Sequence, residues 1–223
     1  GYNYVLTNDI VLPWDYAPIN FAGSLNGNGH TVTLKSGKGA SIFNELGDAK
    51  IYNVKFAGSS DFTAESGFVA AKVVGETVAF ENVVVDADIT ALANVGGYIG
   101  GTVNTIKSLS FKNCSFNGNI ISTAYAGGFT GKLDMHKGAI TFEDCTVGSV
   151  FADTVIAGNG RVAGFVAKTL AKDNTSNNTL TFKNCANYAD VTGVGSAESA
   201  VGSLVGRINR TNLVVDGCTN YGD

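Results

Sequence analysis

Proline, histidine and charge are all scarce in this chain. Two prolines stand against 29 glycines in 223 residues. That rules out a proline-rich linker and a collagen-like repeat. With only two histidines, imidazole-based metal or acid–base sites have little to draw on. Charged residues make up 15%, below the usual quarter or so. Arg161, Arg207 and Arg210 are the only arginines, and the net charge is −4. A basic face for nucleic acid is therefore not expected. No apolar run approaches the ~18 residues of a membrane-spanning helix, so no direct membrane insertion is expected. The opening Gly1-Tyr2-Asn3-Tyr4 does not read as a signal peptide, and a mature secreted chain would look the same. No segment sustains the i, i+3, i+4, i+7 apolar spacing, which predicts almost no helix. What is abundant is Gly, Val, Thr, Asn and Phe, the composition of short strands and tight turns.

Those residues recur in register. One block is a small residue, an anchor, a β-former and a small residue. It occurs around Ile42, Phe68, Tyr98, Phe129, Phe165 and Leu204, at separations of 26 to 39 residues. A second block follows each: Ile51-Tyr52-Asn53-Val54, Phe80-Glu81-Asn82-Val83, Phe111-Lys112-Asn113-Cys114, Phe142-Glu143-Asp144-Cys145, Phe182-Lys183-Asn184-Cys185 and Val215-Asp216-Gly217-Cys218. One such unit cannot bury its apolar face, but stacked units can. The expected fold is all-β, a single-stranded right-handed parallel β-helix solenoid of about six to seven coils. Residues 1–40 read as an opening and capping segment, with Trp14 and Tyr16 covering the first coil. Residues 41–223 read as the repeat solenoid. Cys218-Thr219-Asn220-Tyr221-Gly222-Asp223 repeats Cys185-Ala186-Asn187-Tyr188-Ala189-Asp190 and then stops, so a longer parent chain is expected, with further domains. The open last strand also allows self-association.

Cys114, Cys145, Cys185 and Cys218 share one column with Val54 and Val83. Valine in the same slot marks an apolar interior position, so the cysteines are expected to be buried thiols. They lack the close pairing of a zinc site. An in-register ladder also aims the side chains in parallel, which disfavours disulfides.

The two blocks together resemble the GLUG repeats of bacterial surface proteins. The matching residues are Gly127-Gly128-Phe129-Thr130-Gly131, Gly202-Ser203-Leu204-Val205-Gly206 and the run from Asn113-Cys114 to Gly118-Asn119-Ile120. The opening Asn8-Asp9-Ile10, with Gly27-Asn28-Gly29-His30-Thr31-Val32, looks like the segment that precedes such repeats. Ala163 and Ala167 depart from the glycine pattern but stay small. The resemblance covers nearly the whole chain. It implies an extracellular or cell-surface location and a role in adhesins or as an accessory part of immunoglobulin-cleaving peptidases. It implies no catalytic residue and no cofactor.

The chemistry-bearing residues add little to this. His30 lies in a turn and His136 in a polar corner, neither with a Ser or Cys partner, so a triad hydrolase is not expected. Asp86 and Asp88 share a strand face and could be spaced as glycosidase carboxylates. The insertions offer possible binding loops, at Asp153, Asn159 and Arg161 and at Asp173, Asn174 and Asn178, since corner loops of solenoids often carry function. The sequence thus reads as a non-enzymatic, adhesin-like rod whose partner is a carbohydrate or a host or matrix protein. A carbohydrate-active enzyme or a self-assembling surface subunit are the alternatives. No metal is expected.

Overall fold

The computed structural model describes residues 2–35, 39–103, 105–171, 177–195 and 199–223. They contain no helix, and so none that could cross a membrane. The strands form one large parallel sheet of 22 strands and a small one of five. The pairing partners are the same strand of successive repeats. Ile51 pairs with Phe80, Phe80 with Phe111, Phe111 with Phe142, Phe142 with Phe182, and Phe182 with Val215. The small sheet is built likewise from Ser66–Gly67, Val95–Gly96, Ala126–Gly127, Arg161–Ala163 and Ala200–Gly202.

In-register parallel pairing puts like on like. The rings of Phe80, Phe111, Phe142 and Phe182 stack at 5.0, 4.8 and 4.9 Å, nearly parallel. That is the interstrand distance itself, about 4.8 Å. Tyr98, Phe129 and Phe165 form a second stack at 4.5 and 5.0 Å. The two stacks meet edge-to-face, as in Phe111–Phe129 at 5.2 Å and 82°. Each such contact adds about 0.5–1.5 kcal/mol beyond the area buried. Tyr98 is fully buried, and its hydroxyl donates toward the carbonyl oxygens of Val83 and Ser115 at 2.7 and 2.8 Å.

The corner between the two halves of the second block has one conformation throughout. Asn53, Asn82, Asn113, Asp144 and Asn184 have φ of 49–54°, and Gly217 has 62°. Asn and Asp tolerate this left-handed region better than other side chains, and glycine adopts it freely. The same residues form a ladder. Asn82 Nδ2 donates to Asn53 Oδ1 at 2.9 Å, Asn113 to Asn82 at 2.8 Å, and Asn184 to Asp144 at 3.1 Å.

The anchor column differs by one residue from the sequence alignment in its early copy. Gly67 pairs with Gly96 and Ala70 with Ile99, which sets Val69, not Phe68, opposite Tyr98. Space is the reason. A Cβ on Gly97 would lie 2.3 Å from the Phe116 ring, and one on Gly128 2.9 Å from Val147. Phe116 pairs with Val85 in the copy before, and that smaller neighbour leaves room for Phe68, which is fully buried.

The strands between Tyr2 and Leu34 join the same sheet. Ile19–Asn26 and Thr31–Leu34 both pair with Phe43–Phe62. Tyr16 packs on the core and donates to Ile42 O at 2.7 Å. Trp14, expected to share that role, is 61% exposed. An apolar cleft of about 470 Å³ opens at this end between Tyr4, Ile10, Ile19 and Phe43.

Candidate functional site

The interior columns are structural. Cys114, Cys145 and Cys185 are buried, Cys218 is partly so, and all four are free thiols. Their sulfurs point at backbone carbonyls, as Cys145 Sγ does at Glu143 O (3.2 Å). Cys145 is held well above the ordinary thiol range by its hydrogen bond with Cys114, to which burial adds. Cys185 is raised in the same way by Cys145 and by burial. Burial pushes Cys114 up, but its bonds with Cys145 and with backbone outweigh it and lower that thiol; Cys145 and Cys185, kept protonated, are poor nucleophiles and poor metal ligands. Among the described residues no group of three or more His, Cys, Asp or Glu could hold a metal ion.

The sequence candidates scatter. Asp86 is paired with Lys55 at 2.6 Å, and Asp88 accepts from Asn119 N at 3.0 Å. Both are exposed on the surface. His30 Nδ1 lies 3.1 Å from Asp9, whose carboxylate is held below its usual range first by the Thr31 N–H and then by His30. His136 is half-buried. Of the loop residues, Asp153 and Asn159 are exposed. Arg161 is 5% exposed, with Nη1 donating to the Tyr125 hydroxyl at 2.7 Å. Asn178 is fully buried and accepts from Gly138 N at 3.1 Å. Both therefore brace the repeats and do not present themselves from loops. Asp173 and Asn174 lie outside the described residues.

The structure brings other residues together. Three positions after the true anchor column, the register aligns Glu45, Lys72, Gly101, Lys132, Lys168 and Arg207 on one outer face. The side chain missing at Gly101 is replaced by a carboxylate from a neighbouring corner. A Cβ there would lie 2.6 Å from Glu65 Oε1, and Asn94 holds the other oxygen of Glu65 at 2.8 Å. Lys132 bonds Asp134 at 2.9 Å. Burial works against the Lys132 ammonium, but the Asp134 bond and charge, with Glu65 beyond, outweigh it and raise its pKa. Lys132 therefore stays a cation and is no general base. Asp134 Oδ1 is buried and, among the described residues, has no hydrogen-bond partner. Lys168 lies over the Tyr125 ring at 5.5 Å. Glu65, Lys72, Thr102, Lys132 and Asp134 border a cleft of about 650 Å³, and Lys168 follows Lys132 on the next strand.

Sequence reading missed this site because its residues lie in no shared motif. They become a set only when the copies are aligned on Val69 and Tyr98. The signal was present as the third residue after each anchor. The one-residue misalignment hid Lys72, and Gly101 broke the run.

No protein-family model and no curated protein matches the chain. Among solved structures, that of a putative immunoglobulin A1 protease from Bacteroides ovatus is similar over 98% of this chain and 68% of its own, with a TM-score of 0.76 and 19% identity. At that identity the likeness shows a shared fold and nothing finer.

Proposed function

We propose that the chain is an extracellular, adhesin-like attachment module, a right-handed single-stranded parallel β-helix that presents one lateral face to a partner. The observation that carries this reading is the repeat-to-repeat register. It locks every copy on the last through ring stacks and an amide ladder, and it lines up the charged cleft residues along one outer face. A stack braced in this way is stiff and holds surface groups at fixed intervals, which suits binding to an extended partner at a cell surface. The resemblance to GLUG repeats supports the surface location. It also accords with an accessory role beside a peptidase, since the similar Bacteroides ovatus protein is named for one. Carbohydrate-active chemistry is the second reading, favoured by the Glu65 and Asp134 carboxylates that border one cleft.

One experiment separates the two. The protein is incubated with soluble host and microbial polysaccharides and with matrix proteins, and both bound partner and released product are scored. Saturable binding with no new reducing ends or unsaturated sugars is expected. Product release that disappears in Asp134→Asn would establish the enzyme. Absence of both binding and release would leave only a spacer.

A further inference from the structure

The outer charges of this molecule follow two different rules. On the face formed by the second block, the register runs Glu81, Lys112, Glu143, Lys183, Asp216. The sign alternates at every step, and Glu143 reaches both Lys112 and Lys183, at 3.9 and 3.7 Å. Like charges directly opposite on neighbouring strands repel, and this column avoids them. The column of the cleft face does not. Lys132, Lys168 and Arg207 follow one another on three consecutive strands, with Lys72 two strands earlier, between Glu45 on the strand before it and Glu65 in the Gly101 slot. The strand spacing sets the backbones that carry the consecutive cations about 5 Å apart. Among the described residues, Lys132 alone of the four has an ion pair, with Asp134, and Lys72 stands opposite Glu45. Lys168 has the Tyr125 ring instead, and Arg207 and Lys72 are exposed. A chain of net charge −4 thus places three cations in succession along its stacking direction.

The cleft within that row has a second requirement. Asp134 Oδ1 is a buried acceptor with no partner among the described residues, and a buried polar atom left unmatched is destabilising. A ligand that fits both features carries regularly spaced anions for the row and a hydroxyl donor for Asp134. We propose that this face binds an acidic polysaccharide laid along the stack, with its anionic groups on Lys72, Lys168 and Arg207 and a ring hydroxyl donating to Asp134. This rests on the attachment reading above and names its partner. Carboxylates of uronic acids and sulfate esters both supply the anion, and the sugar ring supplies the hydroxyl.

The test measures binding of the whole chain to polygalacturonate, heparin, neutral dextran and polyglutamate at several salt concentrations. Polygalacturonate or heparin is expected to bind, and dextran is not. The stronger of the two binders identifies the anion as carboxylate or sulfate. The double variant Lys168→Gln/Arg207→Gln is expected to bind at least tenfold more weakly, with a shallower salt dependence. The charge-matched control Lys112→Gln/Lys183→Gln should bind as the parent does. Lys72→Gln/Arg207→Gln changes only exposed side chains and keeps the test valid if Lys168 proves necessary for folding. Asp134→Asn should weaken polysaccharide binding and leave polyglutamate unaffected. Equal binding of polyglutamate and polysaccharide, or equal loss in the control variant, would overturn the proposal. If a matrix protein binds while every acidic polysaccharide fails, the attachment reading stands and this inference falls. If nothing binds, both fall.

Discussion

Two buried polar side chains show what a single residue contributes here. Tyr98 stands in a column whose neighbours are Phe129 and Phe165, so phenylalanine fits its slot without strain. Tyr98→Phe therefore removes only the hydroxyl's bonds to Val83 O and Ser115 O. The expected loss is about 1–3 kcal/mol, read as a lower denaturation midpoint with an unchanged m-value. Cysteine behaves differently, because valine already occupies its column at Val54 and Val83. Alkylation of the native protein should label Cys218 alone, and all four sites should react after unfolding; intact mass distinguishes the two. The raised pKa values of Cys145 and Cys185, opposed by the lowered one of Cys114, set a pH dependence as well. An unfolded thiol titrates near 9.0, whereas the folded ones hold their protons to higher pH. Their contribution is complete below about pH 9 and is lost as pH rises beyond it. Urea midpoints that stay level from pH 7 to 8.5 and then fall are the expected result. A flat profile to pH 11 would contradict it.

The strand is the scale at which side chains become columns. Each strand contributes one rung, so a substitution is felt by the rungs on both sides. Glu143 illustrates this on the surface. Glu143→Lys would put three lysines in succession, at 112, 143 and 183, in place of two long-range ion pairs. A loss of about 0.5–1 kcal/mol is expected at low salt, with much of it recovered at 1 M salt, where the screening length falls to about 3 Å. Thermal melts of the variant at the two ionic strengths check this. The corner asparagines belong to the same scale. They were visible in the sequence as a recurring letter, but nothing there shows that φ is positive at each one or that their amides bond along the stack. The dihedral and the ladder exist only when one corner lies directly over the next.

For the whole molecule, stability comes from nearest-neighbour stacking, and length is adjustable in units of one repeat. Ser108 pairs with Thr77 below it and Ala139 above it. Deleting residues 108–138 would bring Ala139 to the place of Ser108 and set Phe142 on Phe80. The shortened chain is expected to fold, to keep its far-ultraviolet circular dichroism per residue, and to unfold with a smaller m-value, since less surface is exposed. Deleting half that length would put polar residues in the core columns, and an unfolded product is expected. Folding of both deletions alike would contradict a register-locked stack.

Periodicity determined much on its own. The scarcity of charge and proline, the repeated blocks and the valines in the cysteine column were enough to expect all-β structure without helix, a stack of repeats and an interior cysteine column. Those features follow from local composition and from repetition, which a sequence displays directly. Only the tertiary structure decided the register, and register depends on volume. Phe68 fits opposite Gly97 because Val85 is smaller than Phe116, a comparison across residues far apart in the chain. The same fact decided which outer residues align. It turned Arg161 and Asn178 from loop candidates into internal braces, and it assembled Glu65, Lys72, Lys132 and Asp134 into one cleft, because side chains from different repeats meet only when the copies are stacked.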